Sequence, residues 1–114
     1  MLHARPLQTP RASRLELCTP PCVRSGAAFL VTAVIHGAAR GKLITVTLEQ
    51  KRGPKPLATA QSVDCPMNEE GAAFASFKVV LSGGEGGSSA VLVATARDHK
   101  GMFICADGAS IDIF

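Results

Sequence analysis

The stretch Leu43-Ile44-Thr45-Val46-Thr47-Leu48-Glu49 decides the fold. Ile44, Val46 and Leu48 fall on one side of an extended chain and Thr45, Thr47 and Glu49 on the other, the two-residue period of a strand with one face on a core and one in water. Its β-branched residues suit a pleated backbone. A strand buried on both faces of a parallel sheet would be a continuous apolar run, so the alternation points to antiparallel pairing.

The same period recurs on either side. From Ala27 to His36, Phe29, Val31, Ala33 and Ile35 oppose Leu30, Thr32, Val34 and His36; from Phe74 to Leu81, Ala75, Phe77, Val79 and Leu81 oppose Phe74, Ser76, Lys78 and Val80. Ala90 to Ala96 makes a further strand. Turns are predicted at Asp98-His99-Lys100-Gly101 and at Asp107-Gly108, where Asp and Gly supply turn chemistry, with strands at Met102 to Ala106 and Ala109 to Phe114. Lys51-Arg52-Gly53-Pro54-Lys55-Pro56 is predicted as an exposed turn because proline cannot donate to a ladder, and Leu57 to Val63 as a short polar edge strand. Asn68 to Ala73 offers one helical turn, weakened by Gly71. Ser82 to Ser89 holds four glycines but no P-loop lysine and no following helix, so it is a loop and not a phosphate cradle. About seven short strands and no amphipathic helix predict an all-β, antiparallel Greek-key sandwich.

Two segments resemble known domains. Leu92-Val93-Ala94-Thr95-Ala96-Arg97-Asp98-His99-Lys100-Gly101, followed by Ala109-Ser110-Ile111-Asp112-Ile113, is similar to the closing strands of bacterial or viral immunoglobulin-like domains. Gly26, Phe29, Val31, Ala33 and Gly37, with Gly101-x-Phe103-x-Cys105, resemble the second and sixth strands of the animal kind, Ala33 standing at the position of a cysteine. The resemblance implies an Ig-like β-sandwich of about seven strands over roughly 90 residues and carries over no active site. The domain boundaries expected on this basis are a basic N-terminal arm and Pro/Cys hinge over residues 1–22, then the sandwich over 23–114.

Composition narrows function further. A chain of 114 residues suits one domain, and 46% hydrophobic residues exclude a disordered chain. Its only aromatic residues are five phenylalanines, so it lacks the Tyr and Trp on which sugars and nucleobases commonly stack. The formal charge of +3 is mild. Basic residues nonetheless concentrate in an acid-free opening stretch, at Arg5, Arg11 and Arg14, and around one loop, at Lys51, Arg52 and Lys55, with Arg40 and Lys42 near another; these first six are the expected partner-binding residues. Nucleic acid is disfavoured because no aromatic interleaving or known module accompanies the charge. No run approaches a membrane-spanning length and the opening residues lack a signal-peptide apolar core, so an intracellular or assembly-associated setting is expected over secretion.

Four cysteines, Cys18, Cys22, Cys65 and Cys105, allow buried thiols, disulfides in three pairings, or a metal site, in that order of expectation. The C-x₃-C pair at Cys18 and Cys22 is close in sequence but stiffened by Pro20 and Pro21. Catalytic chemistry finds little purchase: His36 and His99 lie at strand ends without a nucleophile motif, and Asp64, Asn68, Glu69 and Glu70 form a charged loop before they form a calcium site. No catalytic residue, cofactor or metal is expected. The expectation is a non-enzymatic structural or interaction module, a small subunit or decoration protein of a virion- or appendage-type assembly, homo-oligomers included, docking through its arm and sheet edges. The alternative is an extracellular accessory domain binding glycans or a cell surface.

Overall fold

The computed structural model describes residues 13–37, 43–52, 61–66, 71–82 and 88–114. Eight strands run through them: β1 (Arg14–Cys18), β2 (Cys22–Val23), β3 (Ala28–His36), β4 (Leu43–Arg52), β5 (Gln61–Pro66), β6 (Ala72–Val80), β7 (Ser88–Arg97) and β8 (Phe103–Ile113). They form two sheets, one ordered β1-β3-β6 and the other β2-β8-β7-β4-β5. Every pairing is antiparallel except β2 beside β8. Crossing between sheets after β1, β2, β3, β5 and β6 produces the Greek-key interleaving of an immunoglobulin-like sandwich.

The alternation read from the sequence is what packs. Ile44, Val46 and Leu48 of β4, Val31, Ala33 and Ile35 of β3, Ala75, Phe77 and Val79 of β6, and Leu92, Ala94 and Ala96 of β7 are all buried between the sheets. No polar or charged side chain is buried among the described residues. Such a core needs no internal hydrogen-bond network, so its side chains contribute mainly through the area they remove from water. β5 is a sheet edge, as expected, although it begins at Gln61 and ends on Pro66.

Three expectations change. Residues 14–18, assigned to the arm, form β1: Leu15 is buried and Leu17 packs against the core, so the alternation begins eight residues before the expected boundary at 23. Lys51 and Arg52, expected in the turn, extend β4, and the rest of that expected turn, residues 53–56, lies outside the described residues. The predicted turn at Asp107-Gly108 is absent, because β8 runs unbroken from Phe103 to Ile113 against β7. A turn there would forfeit ladder bonds that β7 can satisfy. Gly108 is instead a close approach, where an added Cβ would lie 3.4 Å from the Leu92 carbonyl oxygen. Consequently Gly101-x-Phe103-x-Cys105 opens the last strand and does not form the sixth-strand counterpart. Ala72 and Ala73 lie in β6, where the helical turn was considered; residues 68–70 fall outside the described set.

Candidate interaction surface

The outward face of the three-stranded sheet is built by the register of β1, β3 and β6. Along it lie the rows Arg14–His36–Ala72, Glu16–Val34–Phe74, Cys18–Thr32–Ser76, Leu30–Lys78 and Ala28–Val80. One end is ionic: Glu16 Oε1 accepts from Arg14 Nη2 at 3.0 Å and lies 3.3 Å from His36 Nε2. These pairs are exposed and contribute little to stability. Beyond them the face is largely apolar, with Leu30 66% exposed, Phe74 60% and Val80 47%. Phe74 stands directly opposite Val34 and Leu30 is diagonal to Val80, with the Thr32–Ser76 row between the two pairs.

The outward face of the five-stranded sheet is different in chemistry. Thr45 Oγ1 donates to Asp64 Oδ1 at 2.7 Å, and the Thr47 and Ser62 hydroxyls are 3.4 Å apart. Their neighbours in register on β7 are Arg97 beside Thr45 and Thr95 beside Thr47, with Ala106 beyond Thr95. This face mixes those hydroxyls with exposed apolar side chains, Leu43 in phase with Thr45 and Phe103 opposite Arg97. Exposed apolar side chains thus occur on both faces, and the hydroxyl pairs only on this one among the described residues.

Sheet edges are partly taken. The Leu17 amide of β1, turned away from β3, donates to Asp107 Oδ2 of β8 at 2.9 Å, so a carboxylate of one sheet holds an edge donor of the other. At the opposite side Gln61 Nε2 donates to the Lys78 carbonyl at 2.9 Å, tying β5 to β6. The proline at the end of β5 further blunts that edge.

The expected basic residues are not gathered into one patch among the described residues. Arg14 opens β1 at the end of the sandwich where β3 finishes, whereas Lys51 lies near the far end of β4 in the other sheet, 3.5 Å from Glu49 Oε2. Arg52 ends β4; Arg5, Arg11 and Lys55 lie outside the described residues. The residues that sequence reasoning passed over are Leu30, Phe74 and Val80. The available signal was an apolar side chain on the outward phase of a strand, visible at all three positions once β3 and β6 are placed in one sheet.

Asp98 acts as a turn former, as expected. Its Oδ1 accepts from the amides of Lys100 and Met102, both at 2.9 Å, and Gly101 takes a φ of +82° that a side chain would disfavour. The Met102 amide is the main cause holding the Asp98 carboxyl below its ordinary range; desolvation opposes it, and the Lys100 amide and the charges of His99 and Lys100 add to the lowering. All four cysteines are free thiols: Cys18 and Cys22 are exposed, Cys65 and Cys105 buried. Burial pushes the Cys65 thiol up, helped by the neighbouring Asp64 carboxylate, and burial alone does so for Cys105. A Cys65–Cys105 bridge is excluded by register, since Cys105 pairs with Ala96, Ala96 with Val46 and Val46 with Val63, so β8 and β5 are three strand spacings apart. Among the described residues no group of three or more His, Cys, Asp and Glu could hold a metal ion, and no helix is long and apolar enough to cross a membrane.

No protein-family model and no curated protein matches the chain. Among solved structures it is similar to the crystal structure of a Niemann-Pick type C2 protein from the Japanese carpenter ant, with a TM-score of 0.58 and 10% identity over 94% of this chain and 96% of that one. A likeness at this identity is one of fold. With the strand order above, it makes this chain an all-β protein of the immunoglobulin-like β-sandwich kind.

Proposed function

We propose that the protein is a non-enzymatic interaction module that docks on a protein partner through the outward face of its three-stranded sheet, assisted by its basic N-terminal arm. One observation carries this reading: a chain with only five aromatic residues exposes three of them, Phe74, Phe103 and Phe114, and buries only Phe77 fully. Aromatic side chains are the strongest contributors to a core and are enriched at interfaces, so an exposed Phe74 opposite Val34, on the same sheet face as Leu30 and Val80, supports a docking role. Service as a small subunit or decoration protein of a virion- or appendage-type assembly is the particular form we favour. It rests on analogy of fold.

The test is a Leu30→Ser, Phe74→Ser double variant. Both side chains already face water, so the expected stability change stays within about 0.5 kcal/mol, while capture of the partner from the native assembly is lost. Deleting residues 1–12, which stops short of β1, is expected to weaken capture and leave the fold intact. Undiminished capture by both proteins overturns the reading.

A second reading is favoured by the inner faces. Alanine occupies Ala33 of β3, Ala73 and Ala75 of β6, and Ala90, Ala94 and Ala96 of β7, so both facing sheets place small side chains among larger ones such as Phe77, Ile35 and Leu92. Such a lining supports a small apolar molecule held between the sheets. A glycan partner draws no comparable support from the described residues.

A further inference from the structure

We propose that β1 exchanges between two copies of this chain, each copy's Arg14–Cys18 pairing with the other's β3 in the place its own strand occupies within a single chain. Three features point to it. First, β1 is an edge strand with one sheet neighbour: it pairs with β3 over five residues, from Arg14 opposite His36 to Cys18 opposite Thr32. It inserts only Leu15 fully and Leu17 partly into the core, and its outer side is held by one bond, from the Leu17 amide to Asp107. Detaching it leaves β3 paired with β6 and every strand of the other sheet in place.

Second, the link that follows has little slack. Thr19-Pro20-Pro21 must carry the chain from β1 in one sheet to β2, paired with β8, in the other. Four peptide steps from Cys18 to Cys22 reach about 13 Å at full stretch, against sheets stacked about 10 Å apart. Thr19 and Pro20 each precede a proline and are confined to extended conformations, and both prolines have a fixed φ. A short, stiff hinge of this kind disfavours folding back and costs little to straighten, the condition under which terminal elements exchange.

Third, the occupant is specified by the chain itself. The vacated groove asks for a five-residue strand with apolar residues at its second and fourth positions and a free amide at the fourth for the Asp107 carboxylate, which is Arg14-Leu15-Glu16-Leu17-Cys18. Two copies satisfy each other reciprocally, giving a closed two-fold dimer. This inference does not rest on docking through Leu30 and Phe74, since neither residue pairs with β1.

The test uses the full chain with Cys18→Ser and Cys22→Ser, carrying Glu16→Cys and Val34→Cys. Positions 16 and 34 are directly opposite, about 5.5 Å apart at Cα if hydrogen-bonded, within disulfide reach. Glutathione disulfide is the oxidant, taking the two electrons that the paired thiols release with their protons. The expected result is a covalent dimer of doubled mass, its bridge joining position 16 of one copy to position 34 of the other, in a share that rises with the protein concentration during folding. Only internal bridges at every concentration overturn the proposal. The unaltered chain supplies a second measurement, in which isotope-labelled and unlabelled dimers are mixed and weighed by native mass spectrometry. Slow formation of mixed dimers, hastened by mild denaturant, supports exchange; rapid mixing, or no dimer at all, overturns it.

Discussion

At the scale of single residues, Asp98, Asp107 and the cysteines separate by what surrounds them. Asp98 is exposed, yet two amides converge on one of its oxygens and lower its pKa on folding. A carboxyl with a folded pKa below its unfolded value stabilises the fold above the unfolded value of about 3.9, and that contribution is lost as pH falls through the lower folded value. Asn can accept the same bonds but does not titrate. The difference in Tm between the natural chain and Asp98→Asn is therefore expected to change below about pH 4 and to stay flat above it; parallel curves throughout would count against the assignment. The thiols divide by burial. A thiol reagent should modify Cys18 and Cys22 in the folded protein and reach Cys65 and Cys105 only after unfolding, because their raised pKa values keep them protonated and the core shields them. Four equivalents of rapid labelling in the native state would contradict the burial.

At the scale of elements, β1 and β8 carry the instructive departures. Asp-Gly is a strong turn signal, and the local chemistry of Asp107-Gly108 did point to one. What overrides it is pairing at a distance: β7 offers an unbroken ladder, Gly108 fits under the Leu92 carbonyl, and Asp107 finds the β1 edge amide of Leu17, ninety residues away in sequence. Removing that carboxylate by Asp107→Ala is expected to cost about 2 kcal/mol, the worth of a hydrogen bond to a charged group, read as a lower midpoint in urea with an unchanged slope. A loss below about 0.5 kcal/mol, the scatter of ordinary surface changes, would mean that the β1 edge is held by its ladder to β3 alone. β1 itself was hidden for a different reason. Five residues hold only two apolar anchors, and the neighbouring prolines and cysteines read locally as a hinge; only the presence of β3 and β8 makes Leu15 and Leu17 inward-facing.

At the scale of the whole molecule, the two sheets differ on their outer faces and agree on their inner ones. The β8-β7-β4-β5 sheet carries hydroxyl pairs on its outer face, and the β1-β3-β6 sheet carries Leu30, Phe74 and Val80 on the face we propose for a partner. The alanine-rich interior makes its own prediction. If a small apolar molecule lies between the sheets, a fluorescent long-chain fatty acid analogue should bind with one-to-one stoichiometry and raise Tm by mass action, and Ala94→Leu, which adds bulk at a fully buried position, should abolish that gain. Probe binding that persists in the variant, or that vanishes with Leu30→Ser and Phe74→Ser, would place the molecule on the outer face instead.

The alternation at Ala28 to His36, Leu43 to Leu48 and Phe74 to Leu81 was sufficient to determine the class of fold and most of its core, because a two-residue period needs no knowledge of the partner strand. Which strands share a sheet is settled by long-range pairing. That pairing alone puts three outward apolar residues of two strands on one face, sends Arg14 and Lys51 to opposite ends, straightens a predicted turn into the last strand, and sets Cys65 and Cys105 three strands apart.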